Sequence, residues 1–420
     1  MTEIKLDPYQ ERYATRAHGM TASEIRALFA VATRPEIVSL AGGMPYTAAL
    51  DAEAVTAVAE MVIRESAATA LQYGGGQGLD ALRERLVDVM AAEHVRVHPD
   101  DLLITNGGQQ GLDLLGKLFC NPGDIVLAEG PSYVGALNAF GSYQAYVIHL
   151  AMDDEGLIPE SLDETVAALR AAGRSAKFLY TVPNHQNPAG VSMSASRREA
   201  LIERAQRYDL LLVEDNPYGL LDFKGEQLTC LREIDPDRVI YLGTLSKIFS
   251  PGVRIGWVAA PTPIRRKLTL LKETADLSQS NLTQYVAERW LATQPWLHQV
   301  EQFRELYRQR CDAMLDELAI ELPDGCSWST PTGGFFVWLR LPHGMDSKEL
   351  LPSALRARVA YVPGTAFYAD GSGSTEMRLS FCFPTSDRIR EGVRRLAGVV
   401  RDQVALRAAF YGSQPEDDQR

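Results

Sequence analysis

A chain of 420 residues holds enough material for one large domain and a smaller one, with ample buried core. Its 46% hydrophobic and 23% charged residues are those of an ordinary globular protein, and a formal net charge of −12 argues against a nucleic-acid partner, which calls for a basic surface. The N-terminus lacks an apolar signal core and no run approaches the roughly 20 apolar residues of a membrane span. Five scattered cysteines with no C-x-x-C pair read as free thiols in a reducing compartment, so the expectation is a cytoplasmic protein with no membrane partner.

In chain order, the first 20 or so residues read as an extended arm, followed by a helix over 21–31 carrying Ile25, Leu28 and Phe29 at helical spacing. Gly42 and Gly43 then precede Met44-Pro45, either as a plain turn or where backbone must approach a ligand. An amphipathic helix is predicted over 51–66 and another over 81–93. Between them, Tyr73-Gly74-Gly75-Gly76-Gln77-Gly78-Leu79 is glycine-rich, yet Leu79 stands where a dinucleotide fingerprint needs its last glycine. Gly111 to Leu118 nearly spells a phosphate loop, but Leu118 replaces the magnesium-holding hydroxyl and the stretch reads as helix interior. His94 and His98 have metal-pair spacing without the accompanying glutamate, so surface histidines are expected and no metal site.

From residue 102 short apolar runs alternate with helical stretches. Strands are predicted over 102–106, 125–129, 145–150, 177–182, 210–214, 239–243 and 255–259, which implies a mostly parallel sheet covered on both faces. Such sheets hold ligands at the carboxyl ends of their strands, and the chemically suggestive residues fall there. Gly107-Gly108-Gln109 follows the first strand and enters a helix, exposing free N–H groups that can cradle phosphate. Tyr133 follows the second; Asn187-Pro188-Ala189-Gly190, by itself a common turn, follows the fourth. Asp215 ends a buried strand and needs a partner to offset desolvation; a pyridinium N–H would serve. Helices are predicted over 263–277, 282–292 and 296–318, and an alternating strand pattern begins near Phe335. Arg378, in Glu376-Met377-Arg378-Leu379-Ser380-Phe381, reads equally as a surface charge or a ligand clamp. The end, residues 412–420, is polar and expected to be disordered.

The decisive stretch runs from Gly243 to Gly256 between two buried strands. One lysine, Lys247, stands among Thr244, Ser246 and Ser250, with Arg254 seven positions later. A lysine kept from water or placed near another cation has a lowered pKa and attacks carbonyls to form a Schiff base. The hydroxyls and guanidinium beside it are what a tethered phosphate requires. Lysine, carbonyl and phosphate together point to pyridoxal 5′-phosphate.

This stretch resembles the S-x-S-K…R-x-G signature of the class I/II aminotransferases, with Thr244 in the first hydroxyl position, and the likeness extends in order over nearly the whole chain. It is closest to the 2-aminoadipate/kynurenine/branched-chain and aromatic branch, through Ser23-Glu24-Ile25-Arg26 and Ala41 to Pro45. The resemblance implies an α/β fold of the fold-type I pyridoxal-phosphate transferases. That means a mostly parallel seven-stranded sheet with helices on both faces and a smaller α/β domain from both chain ends. The expected division is an N-terminal arm and part of the small domain over 1–49, a large domain over 50–290, and the C-terminal small domain over 291–420.

It also implies residue roles. Lys247 carries the cofactor; Asp215 binds its ring nitrogen; Asn187 and Tyr218 bind its phenolic oxygen; Tyr133 lies against its ring. Gly108, Gln109, Thr244, Ser246 and Arg254 hold the phosphate, with Tyr73 reaching that of the neighbouring subunit in a homodimer with shared sites. Arg378 clamps the substrate carboxylate, Gly43 and Asn187 line the substrate pocket, and Arg26 is either a contact for an acidic side chain or a solvated helix residue. L-amino acids and 2-oxo acids are the expected substrates. Two rivals share these residues: the same fold performing decarboxylation, cyclisation or oxidation, and an aminotransferase-like sensing domain of a regulator.

Overall fold

The structure, a computed structural model, describes residues 7–18 and 34–411. The helix expected over 21–31, Arg26 with it, and the polar stretch 412–420 lie outside the described residues.

After a short strand β1 (Val38–Ser39), the seven expected strands form one sheet: β2 (Leu102–Asn106), β3 (Ile125–Gly130), β4 (Tyr146–Asp153), β6 (Ala176–Thr181), β7 (Leu211–Asp215), β8 (Val239–Thr244) and β9 (Ile255–Ala259). A two-residue strand β5 (Gly156–Leu157), too short to show as an apolar run, folds back on β4 and makes an eighth. The order is β2-β9-β8-β7-β6-β3-β4-β5. From β8 to β4 all neighbours are parallel, while β9 runs antiparallel to β2 and β8.

Strand β2 shows why the sheet takes helices on both faces. Leu102 and Ile104 pack with Leu82 and Leu86 of the helix Asp80–Ala92, while Leu103 packs with Leu112 and Leu115 of the helix Gly108–Phe119 on the other side. Burying each such leucine contributes about 1.5–3 kcal/mol, and the period of two assigns alternate residues to opposite helices.

Four later strands, β10 (Ser327–Trp328), β11 (Phe336–Arg340), β13 (Val362–Pro363) and β14 (Glu376–Ser380), make an antiparallel sheet of order β10-β11-β14-β13. Between them β12 (Val359–Ala360) pairs in parallel with β1, so the smaller domain draws on both ends of the chain. The helix Trp296–Glu321, 26 residues long, leads from the large sheet into it. All five cysteines are free. His94 and His98 are exposed, and the His98 ring accepts the Asp100 N–H at 3.2 Å as a cap. No described helix is long and apolar enough to cross a membrane, and no group of metal-ligating side chains occurs among the described residues.

Candidate active site

The turns leaving β2, β3, β6, β7 and β8 converge on a cavity of about 310 Å³ that is closed by residues of the smaller sheet and of the chain after β1. Of the residues singled out in the sequence, Gly43, Gly108, Gln109, Tyr133, Asn187, Asp215, Tyr218, Thr244, Ser246, Lys247, Arg254 and Arg378 all line it. Tyr73 does not: it is 77% exposed on the outer surface.

Lys247 stands in the turn after β8, where its Nζ donates to the Gly43 carbonyl at 3.3 Å and lies 5.6 Å from the Phe335 ring centre. Burial lowers its ammonium to about 8; Arg378 and Arg254 push the same way, while Cys382 and Asp215 oppose. Asp215 is the last residue of β7, buried, and its Oδ2 accepts from the Tyr180 hydroxyl at 2.7 Å. Burial raises its carboxyl to about 6, against the Tyr180 hydrogen bond, which lowers it. Its neighbour Glu214 points to the other face of the strand. There its two oxygens accept the backbone N–H groups of Leu231 and Arg232 at 3.0 and 2.8 Å. Strand alternation thus separates a site acid from a structural one.

Arg378, from β14, donates through Nη1 to Asn187 Oδ1 at 2.9 Å and through Nη2 to the Ala41 carbonyl at 2.7 Å. Its guanidinium carbon lies 4.2 Å from the centre of the Phe336 ring. The residue is 3% exposed, forms no ion pair among the described residues, and its Nε–H is buried without a partner. Burial lowers its pKa to about 10. Tyr218 is buried edge-on to Phe335 and Phe336 at 5.2 and 6.0 Å.

At the opposite end of the cavity the helix Gly108–Phe119 begins, its first N–H groups free of intrahelical partners. Gly107, at φ +74°, turns the chain into that helix; a Cβ there would lie 2.3 Å from Arg254 Nη2. Arg254, itself at φ +54°, donates to the Asn106 and Pro251 carbonyls at 3.1 and 3.2 Å. The hydroxyls of Thr244 and Ser246 lie 2.9 Å apart. Tyr133 donates to Gln109 Oε1 at 3.4 Å. Met44, Leu112, Val134, Val182, Pro217, Pro251 and Phe336 complete the wall. Sequence reasoning passed over them because apolar residues at element ends look like ordinary core. Phe336 carried one signal, the adjacent Gly333-Gly334 pair at the start of an alternating strand.

Residues 35–396 match the family model described as aminotransferase class I and II. The chain belongs to the class I and II aminotransferases. It is 40% identical over 398 residues to the aromatic-amino-acid aminotransferase 1 of Thermococcus litoralis, covering 94% of this chain and 95% of that one. Among solved structures it is similar to the kynurenine aminotransferase of Pyrococcus horikoshii, with TM-score 0.90, 40% identity, and 94% and 98% of the two chains covered. It is also similar to LysN, the alpha-aminoadipate aminotransferase of Thermus thermophilus complexed with N-(5′-phosphopyridoxyl)-L-leucine. There the TM-score is 0.87, identity 34%, and coverage 95% and 99%.

This aminotransferase therefore catalyses pyridoxal-phosphate-dependent amino-group transfer, and its cavity fits that cofactor. A helix start, two hydroxyls and a guanidinium at one end suit a phosphate dianion. The position of a Cβ on Gly108 has no atom within 4 Å, so nothing blocks that end. The buried carboxyl of Asp215 suits a protonated ring nitrogen.

Proposed function

We propose that this aminotransferase moves the amino group between an L-amino acid and a 2-oxo acid, with Lys247 carrying the cofactor and handling the proton. When bound, the cofactor supplies an electron sink for the substrate α-carbon. The N–H groups of Gly108 and Gln109, the hydroxyls of Thr244 and Ser246, and Arg254 hold the phosphate. Asp215 receives the ring nitrogen, Asn187 and Tyr218 the phenolic oxygen, and Tyr133 lies along the ring face. Arg378 takes the substrate carboxylate as a bidentate pair and so fixes which bond of the α-carbon faces Lys247. Lys247 then removes the α-proton as base and returns it as acid, a task suited to an amine whose pKa lies near neutral.

The observation that carries this reading is Arg378, a buried guanidinium without a carboxylate partner, facing the same cavity as the lysine. A buried cation without an anion is costly, and a substrate carboxylate removes that cost. The other cations of the described wall, Lys247 and Arg254, have tasks already. Met44, Tyr133 and Phe336 offer apolar surface instead, and relatives are named for aromatic amino acids and kynurenine. An aromatic or large apolar amino donor is therefore the proposed substrate class. A homodimer with Tyr73 at the neighbour's site, a cytoplasmic location, and the division at residues 49/50 and 290/291 complete the proposal.

The test is a visible spectrum of the holoenzyme titrated with single amino acids in the absence of any 2-oxo acid. Loss of the lysine-bound cofactor band with aromatic donors, reversed by 2-oxoglutarate or pyruvate, is expected. Carbon dioxide release or oxygen consumption in place of that reversal would sink the transamination reading. Loss of the band only with acidic donors would sink the substrate class.

A further inference from the structure

The chain after β1 is held against the cavity in an unusual way. Four of the five carbonyls of residues 40–44 accept a side-chain or backbone donor, and the fifth, that of Gly42, lies beside the Cys382 thiol, whose single proton goes to the nearer Met44 carbonyl. Leu40 O accepts the Ser380 N–H at 2.7 Å and Ala41 O accepts Arg378 at 2.7 Å. Gly43 O accepts Lys247 at 3.3 Å. The Cys382 thiol lies 3.5 Å from Gly42 O and 3.1 Å from Met44 O, one on either side of the carbonyl that meets the lysine. Below this strip, Tyr46 N–H donates to the Tyr307 hydroxyl at 3.0 Å, and Arg310 lies 4.2 Å from the Tyr46 ring centre. Arg310 also donates to the Cys382 carbonyl. Cys382, Tyr307 and Arg310 are all buried, and none of them lines the cavity.

We infer that Cys382, seconded by Tyr307, is a positioning residue for amino transfer. Its thiol donates to the Met44 carbonyl and packs against that of Gly42, which holds the strip so that the Gly43 carbonyl dipole stays aimed at the ammonium of released Lys247. The inference rests on the reading that Lys247 is the reacting lysine. Its physical basis is that an acceptor fixed on a charged donor favours the charged form, whereas one free to swing away favours it less. Burial raises the Cys382 thiol, which keeps it a donor. On the other side, Gly43 cannot be replaced by a bulkier pin, since a Cβ there would come within 2.9 Å of Phe336 Cζ. The charged and titratable groups that bear on Lys247 besides Cys382 are Arg378, Arg254 and Asp215, and the variants below leave all three in place.

The test uses cofactor-free protein and follows capture of added pyridoxal phosphate by its visible band across pH. The neutral amine condenses with the aldehyde and releases water, so the midpoint of the rate profile reports the amine. In Cys382→Ala the midpoint is expected to fall by up to roughly one pH unit, the scale of one hydrogen bond to a charged group. Cys382→Ser, which keeps a donor, recovers most of the wild-type midpoint. Tyr307→Phe, which removes only the acceptor of the Tyr46 N–H, shifts the midpoint in the same direction by less, and speeds hydrogen exchange at that amide. A wild-type midpoint in both Cys382→Ala and Tyr307→Phe overturns the inference, whatever happens to their melting temperatures. If Cys382→Ala does not fold, Tyr307→Phe alone decides. Lys247→Ala separates the two failures: a visible band retained in that variant defeats the assignment of the reacting lysine and the role of the strip with it, whereas a lost band together with wild-type midpoints in the other two variants defeats the role of the strip alone.

Discussion

Asp215 shows what a working residue costs the fold that carries it. Burial lifts its carboxyl to about 6 in the folded chain, against roughly 3.9 in an unfolded one. Between those values the folded chain keeps a proton that the unfolded chain has lost, so stability falls as pH rises through this window. Above it the penalty is fully present. Asp215→Asn keeps an acceptor for Tyr180 and removes the charge. The cofactor-free variant is therefore expected to be more stable than wild type at pH 7.5, by about 1–3 kcal/mol, and to match it near pH 4. Its holoenzyme should lose amino transfer by roughly a hundredfold or more, since the ring nitrogen has lost its counter-charge. Denaturant melts at the two pH values check the first part. A variant less stable than wild type at pH 7.5 would show that the carboxylate is not a liability. In the sequence, only the family resemblance prefers Asp215 to Glu214, since the family aspartate is followed by x-x-Tyr as Asp215 is by Tyr218; strand alternation separates the two acids without saying which one faces the ligand end.

At the scale of elements, the phosphate end depends on how closely β2, β9 and the helix Gly108–Phe119 approach. Gly256 of β9 faces Thr105 of β2, and a Cβ on Gly256 would lie 2.6 Å from the Gly107 carbonyl carbon. Gly107 in turn admits Arg254. Gly107→Ala forces a side chain into a left-handed backbone and displaces the guanidinium. The expected result is about 1–2 kcal/mol of lost stability and roughly tenfold weaker cofactor binding, the size of one charge-assisted hydrogen bond. Equilibrium titration of the cofactor-free variant measures the second; unchanged affinity would remove Arg254 from the phosphate site.

Apolar runs and turn residues made the seven longer strands and their ligand-bearing ends readable, with boundaries shifted by a residue or two at most positions. The two-residue strands β1 and β12 were not readable, because they pair with each other across most of the chain, and β5, which folds straight back on β4, is too short to show a period. The strip over residues 40–46 was visible only as two glycines and a proline. Its meaning lies in donors from Lys247, Arg378 and Cys382 and an acceptor on Tyr307 that no local pattern brings together.

At the scale of the molecule, the chain presents a surface that suits a second copy of itself. Leu71, Tyr73 and Leu277 are 66%, 77% and 60% exposed. The Gly74 N–H donates to Ser278 at 3.4 Å and Asn281 donates to the Thr69 carbonyl at 3.1 Å, which bring the two segments side by side. Exposed apolar side chains grouped in this way mark interaction surfaces. The patch also borders the cavity, since Gln279, two residues past Leu277, donates to the Arg254 carbonyl. A twofold contact here would carry each Tyr73 towards the phosphate end of the other subunit, because such an interface repeats the same surface on both sides. Two results are expected together. Sedimentation should give twice the 46.3 kDa of the chain, and Tyr73→Phe should weaken pyridoxal phosphate several-fold, by about 1 kcal/mol for one lost hydroxyl contact, without changing that mass. Mixing supplies the sharper check. Dimers of Tyr73→Phe with Lys247→Ala subunits contain one site with a working lysine, and that lysine belongs to the Tyr73→Phe chain. If Tyr73 acts across the interface, this site receives an intact tyrosine from its neighbour and binds cofactor as tightly as wild type. Weakened binding at that site would place Tyr73 in its own subunit's cavity.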